Sequence, residues 1–280
     1  LYTLVPTPTQ PARPILGSEK SLKLSDVLKN KSLLRLDFGI FSLHALLTAN
    51  FIALPIRLSH VIPASPMFHA LFYCSVLIVS FLLMIPFIII AEKKRQMKPI
   101  FISAILTLIL VSQLLWRFIP NTTLSLGLNL LLFFTAFTLL EASLPSLVSK
   151  IAPISKKGAA MGIYSSAQFF GIFIGGAVGG LLYGHFHEEG IILFGLILTG
   201  LWALVATTMQ QPPYLSTLFF QLNPQQAERI SNYLLTLPGV ADVALANDAG
   251  LLQVKVDKKI IRKDQLQRLI NEGRIQEPLI

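Results

Sequence analysis

The sequence predicts an all-α polytopic membrane protein with six transmembrane helices, followed by a small α+β domain. Six runs of at least 18 residues contain no Lys, Arg, Asp or Glu. The hydrocarbon core of a bilayer is about 30 Å thick, so a spanning helix needs roughly 20 apolar residues. Such a segment must satisfy its backbone hydrogen bonds internally, which favours helices. The last part of the chain instead mixes charged and apolar residues with strand and helix periods.

The composition supports a membrane protein and argues against several other classes. The chain is 53% hydrophobic and 13% charged, with a mean hydropathy of +0.66, whereas a soluble domain carries about 25% charged residues. The net charge of +9 comes almost entirely from residues 1–212, which hold 15 Lys/Arg against 7 Asp/Glu. We therefore expect no nucleic-acid partner. Cys74 is the only cysteine, which excludes an intrachain disulfide and a thiolate metal cluster, and we predict neither metal nor cofactor.

The chain divides into four parts along its length. A polar connection at 1–33 precedes the six helices within 34–209, and a linker at 210–213 leads to the domain at 214–280. Because residue 1 is Leu and a Pro-rich stretch follows it, we expect that sequence upstream is missing. Pro55 is predicted to mark the far end of the first helix, and Pro86 to kink the second. The predicted helices cover residues 34–56, 67–91, 99–118, 123–148, 159–186 and 191–209.

The distribution of Lys and Arg predicts the orientation of these helices. One set of alternate connections holds 13 Lys/Arg, including the basic loop 92–98. The opposite set holds Arg57 and Arg117, with Glu188 and Glu189. Since Lys and Arg concentrate in cytoplasmic loops, the first set is predicted to be cytoplasmic. Six spans then place both termini in the cytoplasm.

The C-terminal part alternates strand and helix patterns. A β-rich run at 215–222 precedes an amphipathic helix that Pro224 opens and Pro238-Gly239 stops. A strand at 240–246 and an alternating strand at 252–256 follow, and a second amphipathic helix covers 262–271. With a possible last strand near 274–280, this order predicts a split βαβ, ferredoxin-like domain.

Four stretches of the membrane part resemble the C-terminal half of a Major Facilitator Superfamily transporter of the drug/proton antiporter type. They are residues 34–55, IAEKKRQMK at 90–98, LEASLPSLVSKIAP at 140–153, and 157–181. Within that superfamily the chain is similar to the YajR-like bacterial inner-membrane proteins, whose C-terminal ferredoxin-like cytoplasmic domain matches the tail.

The resemblance implies a fold and a function. The six spans would be helices seven to twelve of twelve, and residues 1–33 the central loop between the two halves. The expected activity is proton-coupled secondary transport, with efflux of small or amphipathic compounds by alternating access around a midplane cavity. The expected partners are the missing N-terminal six-helix half, a small-molecule substrate, protons and membrane lipid. The expected location is the bacterial inner membrane.

Ionisable groups inside a membrane are costly, so each is a functional candidate. Glu141 lies about two turns from the cytoplasmic end of the fourth predicted helix. It could form a charge relay or latch with Lys94 or Arg95, form a static ion pair, or carry a proton. Asp37 and His44 share one face of the first helix. Asp37 could take part in proton transport or a charge relay, or it could simply be an acid that favours a helix N-terminus. His44 could titrate during transport or be a hydrogen-bonded packing residue.

Neutral polar residues near membrane depth are candidates for the substrate cavity or for hydrogen bonds between helices. They are Thr48, Asn50, Gln113, Tyr164 and Gln168.

Small residues dominate the fifth predicted helix, which reads GIFIGGAVGG at 171–180. Small residues four apart let helix backbones approach closely. This run resembles the glycine motif of antiporters, although Gly176 replaces the usual Pro. A helix-packing role is expected for Gly171, Gly175, Gly176, Gly179 and Gly180.

Other functional classes remain as alternatives. The main rival is a membrane-anchored sensor or scaffold whose soluble C-terminal domain is the active part. An ATP-driven exporter would need a separate ATPase subunit, because the chain has no GxxxxGK[ST] loop. The chain also has no HExxH, GxSxG or zinc-ligand spacing, so an enzyme is not expected.

Overall fold

Long apolar helices dominate the computed structural model of the chain. The structure describes residues 27–61, 65–108, 118, 120, 122–211, 214–222, 224–246 and 251–271. These residues divide between two compact units, one within Val27–Ala152 and Gly158–Pro212, the other within Pro153–Lys157 and Pro213–Ile280. The helices of the first unit are α1 (Lys31–Val61), α2 (Pro66–Lys93), α3 (Met97–Leu106), α4 (Thr123–Ile151) and α5 (Lys157–Thr207).

Four helical stretches of the described chain are long and apolar enough to cross a membrane. They are α1, α2, α4 and the stretch Ile154–Thr207, while α3 is a shorter apolar helix. The remainder of the third predicted span, including residues 109–117, lies outside the described residues. The backbone of α5 leaves the helical region at His187 (φ 51°, ψ −139°), between the fifth and sixth predicted helices. Gly190 lies just beyond this break and packs against the Leu182 carbonyl. A side chain at position 190 would collide with that carbonyl.

Local sequence explains where the helices begin. The Asn30 side chain accepts hydrogen bonds from the N–H groups of Ser32 and Leu33 at 3.0 and 3.3 Å, so it caps α1. Thr122 and Ser125 form a reciprocal capping box at the start of α4. Contrary to the prediction, Pro55 does not end the first helix, because α1 continues to Val61. Neighbouring helices allow a proline inside a membrane helix.

The core of this unit lies around α1 and α4. α4 packs against α1, α2 and α3. α1 buries much of its circumference, whereas α2 buries only Val76, Ser80, Met84 and Ala91. α1 is thus positioned to hold polar side chains out of contact with lipid.

The second unit contains an antiparallel sheet with two helices. Its elements are β1 (Ser216–Gln221), α6 (Pro224–Thr236), β2 (Val240–Ala246), β3 (Leu251–Val256) and α7 (Lys263–Asn271), and the sheet order is β1-β3-β2. Leu218, Leu234, Val254 and Leu266 belong to one hydrophobic core. The β-α-β-β-α order agrees with the prediction. The predicted last strand lies outside the described residues, so the ferredoxin-like assignment stays a prediction.

Candidate functional site

Three polar side chains from three helices meet inside the helical unit. They are His44 on α1, Glu141 on α4 and Gln168 on α5. The Gln168 Nε2 atom lies 2.9 Å from His44 Nε2 and 3.4 Å from Glu141 Oε1. His44 Nε2 lies 3.8 Å from Glu141 Oε2. All three residues are candidates from the sequence, but the sequence does not place them together. The structure brings them into one cluster.

The hydrogen bonds of this cluster assign the protonation of the His44 ring. Its Nδ1 faces the carbonyl oxygen of Ile40 at 3.3 Å, which can only accept, so Nδ1 carries the hydrogen. Nε2 therefore has a free lone pair and accepts from the Gln168 amide. The ring of Phe137 packs edge-on against the imidazole, with centroids 5.8 Å apart. His44 is held here as a neutral, buried acceptor.

Two polar atoms beside this cluster have unsatisfied hydrogen-bonding capacity. Glu141 Oε2 and the Tyr164 hydroxyl are buried and have no hydrogen-bond partner among the described residues. Tyr164 is only 4% exposed and precedes Gln168 by one turn of α5, so both side chains share a helix face. The carboxylates of Glu141 and Asp37 lie within electrostatic range of its hydroxyl. Buried unpaired polar atoms are costly. The space beside Glu141 Oε2 and the Tyr164 hydroxyl is therefore suited to a proton, a water molecule or a polar group of a ligand.

Glycines hold α5 close enough to α1 for this contact. A methyl group at Gly171 or Gly175 would collide with the backbone carbonyl of Phe41 or Ala45, and one at Gly179 would lie 3.0 Å from Ala49. At these three positions the absence of a side chain lets the backbones of α1 and α5 approach closely.

Gly176 and Gly180 differ from those three glycines. A methyl group at Gly176 would make only an ordinary contact, 3.6 Å from Thr48, and one at Gly180 would meet no described atom within 4 Å. The packing role predicted for these two positions is therefore not seen in this contact. They lie one residue beyond Gly175 and Gly179 on α5, so they are turned away from the line of closest approach between α5 and α1.

The remaining predicted residues lie elsewhere. The Thr48 hydroxyl donates to the His44 carbonyl at 2.8 Å, and Asn50 is buried in α1. Gln113 lies outside the described residues. In the described part of the chain Glu141 makes no ion pair with Lys94 or Arg95, so the charge relay with the 92–98 loop stays a prediction.

Two ion pairs were not anticipated from the sequence. Arg57 on α1 lies 3.5 Å from Glu188, just after the break in α5. Lys150 at the end of α4 lies 2.5 Å from Glu92 at the end of α2. The sequence did contain a signal for these two ion pairs, because the charge pattern assigns the two members of each pair to the same side of the membrane.

Comparisons with known proteins identify similar sequences. The model of the Major Facilitator Superfamily matches residues 3–241. The inner membrane transport protein YajR of Escherichia coli (strain K12) is 38% identical over 252 residues, which are 89% of this chain and 55% of that protein. An uncharacterized transporter of Buchnera aphidicola subsp. Baizongia pistaciae (strain Bp) is 29% identical over 180 residues, or 64% of this chain and 46% of the relative. The chain spans about half the length of these curated relatives.

Proposed function

We propose a function from one premise: the chain belongs to the Major Facilitator Superfamily, and it is similar to an inner membrane transport protein. We propose that it supplies one half of a proton-coupled exporter of small amphipathic compounds. The observation that supports proton coupling is the contact of His44, Glu141 and Gln168 between three helices. Ionisable side chains at membrane depth are expensive and mark proton and substrate pathways.

Proton uptake at His44 would rearrange the cluster. With a hydrogen on Nε2 the imidazolium has two donors, and the Gln168 NH₂ group can no longer face it. Glu141 Oε2, which lies 3.8 Å away and has no hydrogen-bond partner among the described residues, becomes the natural acceptor. Proton binding thus exchanges a hydrogen bond between α1 and α5 for an ion pair between α1 and α4. Histidine is the side chain most often used as a proton acceptor near physiological pH, so His44 is the group of this cluster that we assign to proton uptake.

This exchange drives alternating access in the proposed mechanism. Gln168 is the side chain that ties α5 to both other helices, and losing its contact with His44 frees α5 to move relative to α1 while its contact with α4 remains. In a secondary transporter the two halves rock around a midplane site, and the missing half would supply the opposite wall. The substrate would reach the cluster from the side of Tyr164, whose hydroxyl is unpaired among the described residues.

The orientation of the chain in the membrane and the charge relay of the 92–98 loop are part of the same proposal. Both termini are assigned to the cytoplasm by the positive-inside pattern. The 92–98 loop, with Lys94 and Arg95, would then lie at the cytoplasmic end of α2. A relay from this loop toward Glu141 would form in a conformation different from the present one, in which Glu141 faces His44.

Cysteine accessibility at different pH values tests the proposal in the full-length transporter. In a Cys74→Ala background, Thr122→Cys reports the start of α4 and Ser149→Cys its end. Because the thiolate is the nucleophile, alkylation at each pH is normalised to the same cysteine in unfolded protein. We expect this normalised alkylation to change in opposite directions at the two positions between about pH 8 and about pH 6. His44→Gln and Glu141→Gln should each remove the response. His185→Gln, on the exposed surface of α5, should keep it.

Either of two outcomes would contradict the proposal. One is an accessibility that does not change with pH in the parent protein. The other is a pH response that persists in both cluster variants. An ATP requirement for transport in vesicles would instead favour an ATP-driven exporter.

A further inference from the structure

The α+β unit concentrates positive charge at one end of its sheet. Lys258, Lys259, Arg262 and Lys263 are exposed, and Ile260 between them is 59% exposed. We call these five residues the basic tip. Residues 213–280 hold 8 Lys/Arg against 7 Asp/Glu, yet half of those cations lie within six consecutive positions. The charge of this unit is therefore nearly balanced overall but strongly asymmetric in its placement.

The backbone of the basic tip is held in a defined turn. The Asp257 N–H donates to the Gly239 carbonyl at 2.8 Å, and the Lys259 N–H donates to Asp257 Oδ1 at 2.9 Å. Gly239 adopts φ +91°, and a methyl group there would lie 2.8 Å from Ile260 Cβ. Ile261 is buried in the core. The fold thus presents Ile260 outward while its neighbour anchors the turn.

Two features of the basic tip are unfavourable for a domain surrounded only by water. Arg262 and Lys263 lie at the N-terminal end of α7, where the helix dipole disfavours cations. Ile260 exposes an aliphatic side chain beside them. Asp257 and Asp264 are the only acids in residues 257–264, and Asp257 is already engaged in the turn. Both unfavourable features become favourable against a surface that is negative outside and apolar beneath.

We propose that the basic tip binds the anionic phospholipid surface of the membrane that the chain itself spans, with Ile260 inserted between the headgroups. The eight residues between Thr207 and Ser216 extend to at most about 28 Å, so the α+β unit stays within reach of the bilayer. Each Lys or Arg near an anionic surface strengthens binding by about fivefold. Nucleic-acid grooves add aromatic stacking platforms, whereas the basic tip contains an aliphatic residue and no aromatic one.

The test places a fluorescent label on the basic tip of the full-length protein in nanodiscs. The label is attached at Ile260→Cys in the Cys74→Ala background, and its apolar ring replaces the aliphatic side chain. Quenching by neutral acrylamide is compared in phosphatidylcholine and in a mixture with roughly one-quarter phosphatidylglycerol. We expect quenching to fall by about twofold or more with the anionic lipid, and to recover at about 0.5 M salt, which screens surface charges.

Matched variants separate lipid binding from other causes of protection. Replacing all four cations of the basic tip with Gln should abolish the lipid dependence, whereas Arg268→Gln, on the exposed side of α7, should keep it. A label at Phe219→Cys, exposed on β1, should be insensitive to lipid. The salt reversal needs no variant of these cations, so the test survives misfolding of the quadruple variant.

Two results would overturn the proposal. Equal quenching in both lipid compositions means that the basic tip does not recognise anionic lipid. Protection by anionic lipid that persists in the quadruple Gln variant means that the cations of the basic tip are not its cause.

Discussion

Replacing Gly175 with Ala should loosen the contact between α1 and α5 and disturb the polar cluster next to it. The added methyl group would collide with the Ala45 carbonyl, which is backbone and cannot rotate away. The two helices must separate locally, and Gln168 lies two turns before Gly175 on α5. We therefore expect a loss of stability together with a loss of the 2.9 Å contact between Gln168 and His44.

The change in the free energy of unfolding caused by Gly175→Ala is the sum of two opposing contributions. Overpacking a tight contact costs about 1–3 kcal/mol, while Gly→Ala in a helix otherwise gains about 0.5–1 kcal/mol. Gly175→Ala should therefore destabilise the helical unit by up to about 2.5 kcal/mol. Gly180→Ala is the matched control, because its methyl group would meet no described atom within 4 Å. It should stabilise by about 0.5–1 kcal/mol, and because this gain is common to both variants, they should differ by the overpacking cost alone, about 1–3 kcal/mol.

Unfolding of the full-length protein in detergent micelles, followed by tryptophan fluorescence, measures both variants under the same conditions. Trp202 provides a reporter inside this unit, where it is 1% exposed. Equal stabilities of the Gly175→Ala and Gly180→Ala proteins would refute the close approach of α1 and α5. Greater damage from Gly180→Ala would show that the opposite face of α5 makes the tight contact.

Three further predictions concern the polar groups. Gln168→Leu should shrink the pH-dependent change in accessibility by about fivefold, equivalent to one hydrogen bond of about 1 kcal/mol, and an unchanged response would show that His44 acts without it. Arg57→Gln should lower the free energy of chemical unfolding by about 1 kcal/mol, since its partner Glu188 is 39% exposed. The double variant Arg57→Gln/Glu188→Gln should lose less stability than the sum of the losses of the two single variants. Burial lowers the pKa of Lys255, so between that pKa and 10.5 the unfolded state binds more protons and stability rises with pH. Lys255→Met should therefore protect the sheet of the α+β unit against hydrogen exchange at neutral pH, with a gain that shrinks toward about pH 10.

The sequence predicted those features that depend on local composition. Uncharged runs indicated α1, α2 and α4, and the predicted boundary between the fifth and sixth helices falls at the His187 break. The spacing of Asp37 and His44 indicated a shared face of α1. These features depend on helical periodicity and on the cost of charge in lipid, which a single sequence reveals.

Features that depend on packing between helices could not be predicted. Gly175 and Gly176 are adjacent glycines in the same helix, yet only Gly175 lies against a backbone carbonyl. Glu141 pairs with His44 because α1 and α4 are neighbours, whereas the sequence pointed to the 92–98 loop. Pro55 predicted a helix end, but packing carries α1 through it to Val61.

Nitrogen NMR of histidine in the full-length transporter tests the central claim most directly, because it observes the proton on His44. Comparison with His44→Gln assigns the signal among the five histidines of this chain. We predict that at high pH the hydrogen lies on Nδ1 and that Nε2 is unprotonated. On acidification the ring should become cationic, and Glu141→Gln should change its titration. A ring that carries its hydrogen on Nε2 at high pH, or that stays neutral down to about pH 5, well below the unperturbed value, would contradict the proposed proton site.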